Sequence, residues 1–221
     1  MLQSSTLKFL KDLTANNHKD WFDQYRKRYE AARKDAEALV QQVIDIHGKK
    51  DPSIAGLTAK ECFFRINRDI RFSKNKSPYK TNFGISINAE GRKSMKAGYY
   101  LHIEPGKSFV GGGLYMPMPA ELKKVRQEID YNFDNFQAII GSKQFKSVFG
   151  ELWNEPEVKL TRVPQGFEKD SPAAAFLMLK SFIAERKLSD RSLTDGTAVK
   201  LITEAMATIQ PLLQFINSSF D

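Results

Sequence analysis

The chain has one cysteine, Cys62, in 221 residues. No internal disulfide framework and no cysteine-rich metal site can therefore be built. There are three histidines, His18, His47 and His102, and their wide separation argues against a zinc site. No His-Glu-x-x-His or Gly-x-Ser-x-Gly motif occurs. No stretch approaches the ~20 apolar residues of a membrane-crossing helix, and MLQSSTLKFLKDL lacks the apolar run and small-residue cleavage site of a secretory signal. The expectation is a cytoplasmic chain with no membrane partner. No repeat, low-complexity run or linker divides the sequence, and its length suffices for a core, so one domain over residues 1–221 is expected.

What is in excess is positive charge, and it sits in one place. The net charge is +8, from 34 Lys plus Arg against 26 Asp plus Glu. Between Lys60 and Val110 stand eleven basic and four acidic residues, so this quarter of the chain carries all but one unit of the excess. Its centre runs from Cys62 to Ile87, CFFRINRDIRFSKNKSPYKTNFGISI, with three arginines and three lysines around one acid, Asp69. Charge localised in this way points to a site for something negative rather than to a generally basic surface.

The hydrophobic period changes at this string. Before it, Leu7, Leu10 and Leu13 mark a short helix over Thr6 to Ala15. Trp21, Phe22, Tyr25, Tyr29, Ala32, Ala36, Leu39, Val40, Val43 and Ile44 trace one face of a long amphipathic helix from Lys19 to about Ile46. From Phe64 to Phe72 the apolar residues alternate, which predicts a strand with a bulge at Arg68. Further strands are expected at Phe83 to Ile87, Tyr99 to Ile103 and Ser108 to Met116, joined by short turns into a mainly antiparallel meander over about residues 62–116. Pro117 and Pro119 end the sheet region. Helices follow from about Ala120 to Gly141 and at Gln144 to Phe149, then a short strand at Val158 to Val163, a helix at Ala173 to Leu179 and an extended run at Ser181 to Leu188. A last helix carries the stripe Leu201, Ile202, Ala205, Ile209, Leu212, Leu213 and Ile216, kinked at Pro211. The fold class is α+β, a meander sheet packed against a long N-terminal helix and C-terminal helices.

The chemistry-bearing candidates lie on the sheet region. Arg65, Asn67, Asp69 and Arg71 fall on the polar face of the first expected strand, alternate side chains ~6–7 Å apart. Two guanidinium groups at that spacing can grip a phosphate or carboxylate through forked donors. Arg68, Lys76 and Lys80 add positive charge, and Tyr79 and Asn67 add directional hydrogen bonds. Asp69 either orients the guanidinium planes or accepts a proton. His102 shares a strand face with Tyr100 and Glu104 and is the general acid–base candidate, since imidazole titrates near neutrality. Each has a structural counterpart: an Arg-rich strand face is commonly just ion-paired and solvated, and a lone sheet histidine is more often structural than catalytic. Gly106-Lys107-Ser108 fails as a P-loop, because no glycine stands at Leu101 and a strand, not a helix, follows. Gly111-Gly112-Gly113 marks either a close backbone approach or a bend.

The leading expectation is a binding or catalytic pocket for a phosphorylated or otherwise anionic small molecule. The alternatives are a non-enzymatic nucleic-acid binder on the same basic surface, its aromatics stacking bases, and a scaffold or interaction module. No metal and no particular cofactor is indicated.

Three strings, NNHKDWFDQYRKRYE, FFRINRDIRFSKNKSPYKTNFG and GYYLHIEPGKSFVGGGLYMPMP, with RVPQGFEKDSP and LKSF further on, resemble the family catalogued as domain of unknown function number twenty-four sixty-one. The resemblance covers nearly the whole chain. It implies a single intracellular α+β domain with the basic string as the family's signature, and it brings no activity with it.

Overall fold

In the computed structural model, which describes residues 1–220, four strands form one antiparallel sheet. They are β1 (Phe83–Ile87), β2 (Gly98–Ile103), β3 (Phe109–Leu114) and β4 (Phe182–Lys187), in the order β1-β2-β3-β4. With the helices around it this is the α+β architecture that the change of period implies. The meander is shifted along the chain, however. The segment from Phe64 to Phe72 forms no strand, and the extended run after Ser181 supplies the fourth. By packing, the residues gather into two compact units. The first holds Met1–Arg92, Tyr100–Val110 and Lys187–Glu204; the second holds Lys93–Tyr99, Gly111–Arg186 and the chain from Ala205 onward.

The first unit contains α1 (Ser4–Ala15), α2 (Lys19–Gln24), α3 (Arg26–His47) and α4 (Ala59–Cys62). Leu7, Leu10 and Leu13, together with Phe9, are the buried stripe of α1. The side chain of Gln3 does not cap this helix. Asp35 of α3 does so instead, its Oδ2 accepting from the Gln3 N–H at 2.8 Å and the Thr6 hydroxyl at 2.6 Å. The expected single helix after Lys19 is divided at Tyr25, whose φ of −104° and ψ of 19° are non-helical. The aromatic run continues on both sides of this break, so period alone cannot locate it. Trp21 lies 4.8 Å from the Tyr25 ring, and Phe22 stacks on Tyr79 with centroids 4.0 Å apart. That second stack ties the helical layer to the basic segment.

The second unit contains α5 (Pro119–Tyr131), α6 (Phe133–Gly141), α7 (Lys143–Phe149) and α8 (Ala174–Leu177). Pro119 opens α5, where its missing N–H would have no helical partner anyway. Ser142 caps α7, its hydroxyl accepting from the Phe145 N–H at 3.1 Å. The strand expected at Val158 to Val163 is absent. A 3-10 turn, Pro156–Val158, and a single bridge between Lys159 and Leu179 stand in its place. The Leu160 N–H donates to the Met178 carbonyl and the Lys180 N–H to the Val158 carbonyl, each at 2.8 Å, and the pairing goes no further. The three glycines of β3 serve a close approach: a Cβ at Gly112 would lie 2.8 Å from the Gly98 carbonyl oxygen, and one at Gly113, with φ +129°, would collide with the Phe182 carbonyl.

The chain ends in α9 (Asp190–Thr194), capped by the Ser189 hydroxyl, and α10 (Ala198–Ser218). Ile202, Ala205, Ile209, Leu212 and Ile216 are its buried stripe. Pro211 deprives the Ala207 carbonyl of its helical donor without ending the helix. Among the described residues no helix is long and apolar enough to cross a membrane.

Candidate functional site

The basic string folds as an irregular hairpin. Phe63 bridges Ile85 and Asn67 bridges Tyr79, both antiparallel. Between these bridges the Phe64 N–H donates to the Gly84 carbonyl at 2.9 Å and the Lys80 N–H to the Ile66 carbonyl at 2.8 Å, and just beyond the second bridge the Arg68 N–H donates to the Pro78 carbonyl at 2.9 Å. Residues 63–68 thus run beside 78–85, and 69–77 form the loop. The expected strand fails because the apolar alternation is not a burial alternation: Phe63 and Ile66 are buried, whereas Phe72 is 94% exposed. No bulge is needed to account for Arg68.

Three of the hairpin's six cations are bonded into the hairpin itself. Arg68 donates from Nη1 to the Ser77 carbonyl at 2.9 Å and from Nη2 to the Ser73 hydroxyl at 3.3 Å. Lys76 Nζ donates to the Ile70 carbonyl at 3.0 Å. Arg71 grips Asp69 with two bonds, of 3.0 and 2.7 Å, and these hydrogen bonds hold the Asp69 carboxyl below the usual carboxylate range. Tyr79 is 6% exposed against Phe22. Its backbone is fixed at both ends by the Asn17 amide, which donates to the Tyr79 carbonyl and accepts from its N–H, each at 3.0 Å.

Arg65, Asn67 and Lys80 remain. Arg65 is exposed and forms no hydrogen bond or ion pair with the described residues, and the Asn67 side chain is likewise exposed. Lys80 is half-buried, its Nζ 5.4 Å from the centroid of the Phe64 ring. Burial foremost, and then the positive charge of Arg65, push its amine below the ordinary lysine range. Two cations therefore lie within electrostatic reach of each other, and among the described residues neither forms an ion pair with a carboxylate; the charge of Arg65 also reaches Asp69, which Arg71 grips.

The histidine cluster begins at the next two residues. His102 Nε2–H donates to Glu104 Oε2 at 3.0 Å, leaving Nδ1 to accept from the Asn82 amide at 3.4 Å. Glu104 Oε1 accepts from the Thr81 hydroxyl at 2.9 Å, and the imidazole stacks on Phe109 at 4.9 Å and 8°. Burial pushes the Glu104 carboxyl up, but hydrogen bonds from His102 and Thr81, with the charges of His102 and Lys107, outweigh it and hold the group below its ordinary value. Both imidazole nitrogens are thus engaged by the protein, as is the Asp69 carboxylate. Thr81 and Asn82, which follow Lys80 in the chain, thus hold an imidazole–carboxylate pair in a fixed orientation.

Thr81, Asn82 and the Phe64 ring are parts of this cluster that sequence reasoning does not find. Thr81 and Asn82 meet their partners across 23 and 20 residues respectively, and no local spacing encodes a pairing of that kind. Among the described residues no group of three or more His, Cys, Asp or Glu is placed to hold a metal. No curated protein and no solved structure matches the chain. A family model described as a conserved hypothetical protein matches residues 5–215.

Proposed function

This chain belongs to the DUF2461 family of conserved hypothetical proteins, and from that premise and the geometry of its hairpin we propose that it binds a phosphorylated or otherwise anionic small molecule at Arg65 and Lys80. The observation that carries this reading is the like-charged pair itself. Lys80 is held partly out of water, depressed by burial and by Arg65, and among the described residues no carboxylate is ion-paired to either, the Asp69 carboxylate that feels Arg65 being gripped by Arg71. Like charges placed together in a folded chain favour a counter-anion, which an arginine fork and an ammonium can bind at once. Asn67 adds a directional donor, and the Phe64 ring lies against the lysine ammonium. The His102–Glu104 pair would orient a ligand group or relay a proton once a ligand displaces one of its partners.

The test is thermal unfolding in phosphate against chloride at matched ionic strength. Phosphate is expected to stabilise the chain by about 1.4 kcal/mol at tenfold excess over its Kd. Arg65→Ala combined with Lys80→Met is expected to remove that gain while circular dichroism stays native. Equal stabilisation of the double variant would refute the assignment.

A second reading is favoured by one specific feature. Phe72 is 94% exposed, with the Arg71 guanidinium 5.7 Å from its ring centroid, and Lys74 and Lys76 follow on the same loop. An aromatic ring between cations is the arrangement on which single-stranded bases stack. Nucleic-acid binding at this tip would weaken steeply with salt, and Phe72→Ala would cost about 1–3 kcal/mol of it. A flat salt response in oligonucleotide anisotropy would remove this reading.

A further inference from the structure

The second unit contains a cavity of about 290 Å³, away from the basic string in sequence. Its lining includes an apolar set, Ile140, Phe176 and Leu179, and a charged set, Lys146, Lys159 and Glu151. Lys159 Nζ is held by the Asn154 side-chain oxygen at 2.8 Å. Lys146 forms no side-chain hydrogen bond or ion pair with the described residues. The charged set sums to one excess positive charge, which suits a monoanion. The volume is at the small end of ligand cavities, which suits a ring or short chain bearing one charged group.

A buried cation stands behind one wall. Arg126 of α5 is 8% exposed, and its Nη2 donates to the carbonyl of Leu179 at 2.9 Å. Its Nε is buried without a partner, and no carboxylate among the described residues pairs with it. Burial alone lowers its pKa from the ordinary arginine value. A buried guanidinium without a counter-charge is costly, and a nearby anion relieves that cost.

We propose that this cavity binds a small organic carboxylate, its apolar body against Ile140, Phe176 and Leu179 and its carboxylate at Lys146 and Lys159, with Arg126 adding positive potential through the wall at Leu179. Inorganic phosphate fits the site less well. It would leave the apolar walls wet and bring a second negative charge toward Glu151.

The probe is benzoate, with benzamide as its neutral isostere, titrated into the full chain and followed by amide chemical shifts. Benzoate is expected to move the amides of Gly141, Gly150 and Leu179 saturably, and benzamide to bind at least about tenfold more weakly. Lys146→Gln combined with Lys159→Gln is expected to weaken benzoate by about tenfold, from the loss of charged hydrogen bonds. The Arg65→Ala, Lys80→Met variant is expected to bind benzoate as the wild type does, so failure of the hairpin reading and failure of this one are separable. The proposal is overturned by no saturable response, by equal response to benzamide, by undiminished affinity in the double glutamine variant, or by shifts confined to the hairpin.

Discussion

Arg65 and Arg68 carry the same group, but only Arg68 is bonded into the loop. Arg68→Ala leaves the Ser77 carbonyl without its donor and is expected to cost about 1–3 kcal/mol. Arg65→Ala is expected to stay within about 0.5 kcal/mol of wild type. Urea midpoints of the two variants check both. Two further residues set the response to acid. His47 is buried, and burial foremost lowers its pKa, so the folded chain keeps it neutral where the unfolded chain takes up a proton. Stability is therefore expected to fall as pH drops through about 6.5 toward the folded value. Glu104 is the opposite charge type with the same direction of shift. Its contribution is present above the unfolded value of about 4.3 and is lost as pH falls through the folded one. In Glu104→Gln the lower part of the acid slope should shrink while the part near neutrality is unchanged, as read from urea midpoints against pH. At this scale the residue types were legible in the sequence, but their attachments were not. Arg68 and Lys76 donate to backbone carbonyls, and every residue has a carbonyl, so no side-chain pattern announces such a bond.

The hairpin's position depends on one stack and one amide, Phe22 on Tyr79 and Asn17 on the Tyr79 backbone. Phe22→Ala is expected to cost about 3–5 kcal/mol, as deletion of a buried ring does, and to loosen hydrogen exchange at the Lys80 amide selectively. In β3, Gly113→Ala meets both a positive φ and the Phe182 carbonyl, and a loss above about 3 kcal/mol is expected in the same unfolding assay. Helical period placed α1, α3, α5 and α10 well, because a stripe such as Leu7, Leu10 and Leu13 faces one neighbour throughout. Alternation misplaced the first strand. Phe64 to Phe72 alternates in residue type, yet within it only Asn67 forms a bridge, to Tyr79, and beyond it the chain turns toward solvent, leaving Phe72 exposed. The break at Tyr25 was invisible for a different reason: no glycine or proline marks it.

Over the whole molecule, the excess charge and the first strands of the sheet share one stretch of chain, and β4 joins them from residues 182–187. β2, β3, β4 and α10 each contain residues of both compact units, so neither unit is a continuous piece of sequence. We propose that the chain nonetheless unfolds as one domain, because each of these four elements would have to break for one unit to melt alone. Calorimetry is expected to give a single transition with equal calorimetric and van't Hoff enthalpies, and two resolved transitions would oppose this. The α+β class was legible from the change of period, and the concentration of cations from counting. The division of those cations into bonded and unpaired was not, since it depends on contacts that only the folded chain makes.

The pairing of Arg65 with Lys80 as an open receptor is tested most directly at the Lys80 amine. Its titration, followed by the side-chain carbon shift with and without phosphate, is expected to begin below the ordinary lysine value and to rise when phosphate is added, with no such rise in Arg65→Ala. A Lys80 pKa that phosphate leaves unmoved would contradict the account.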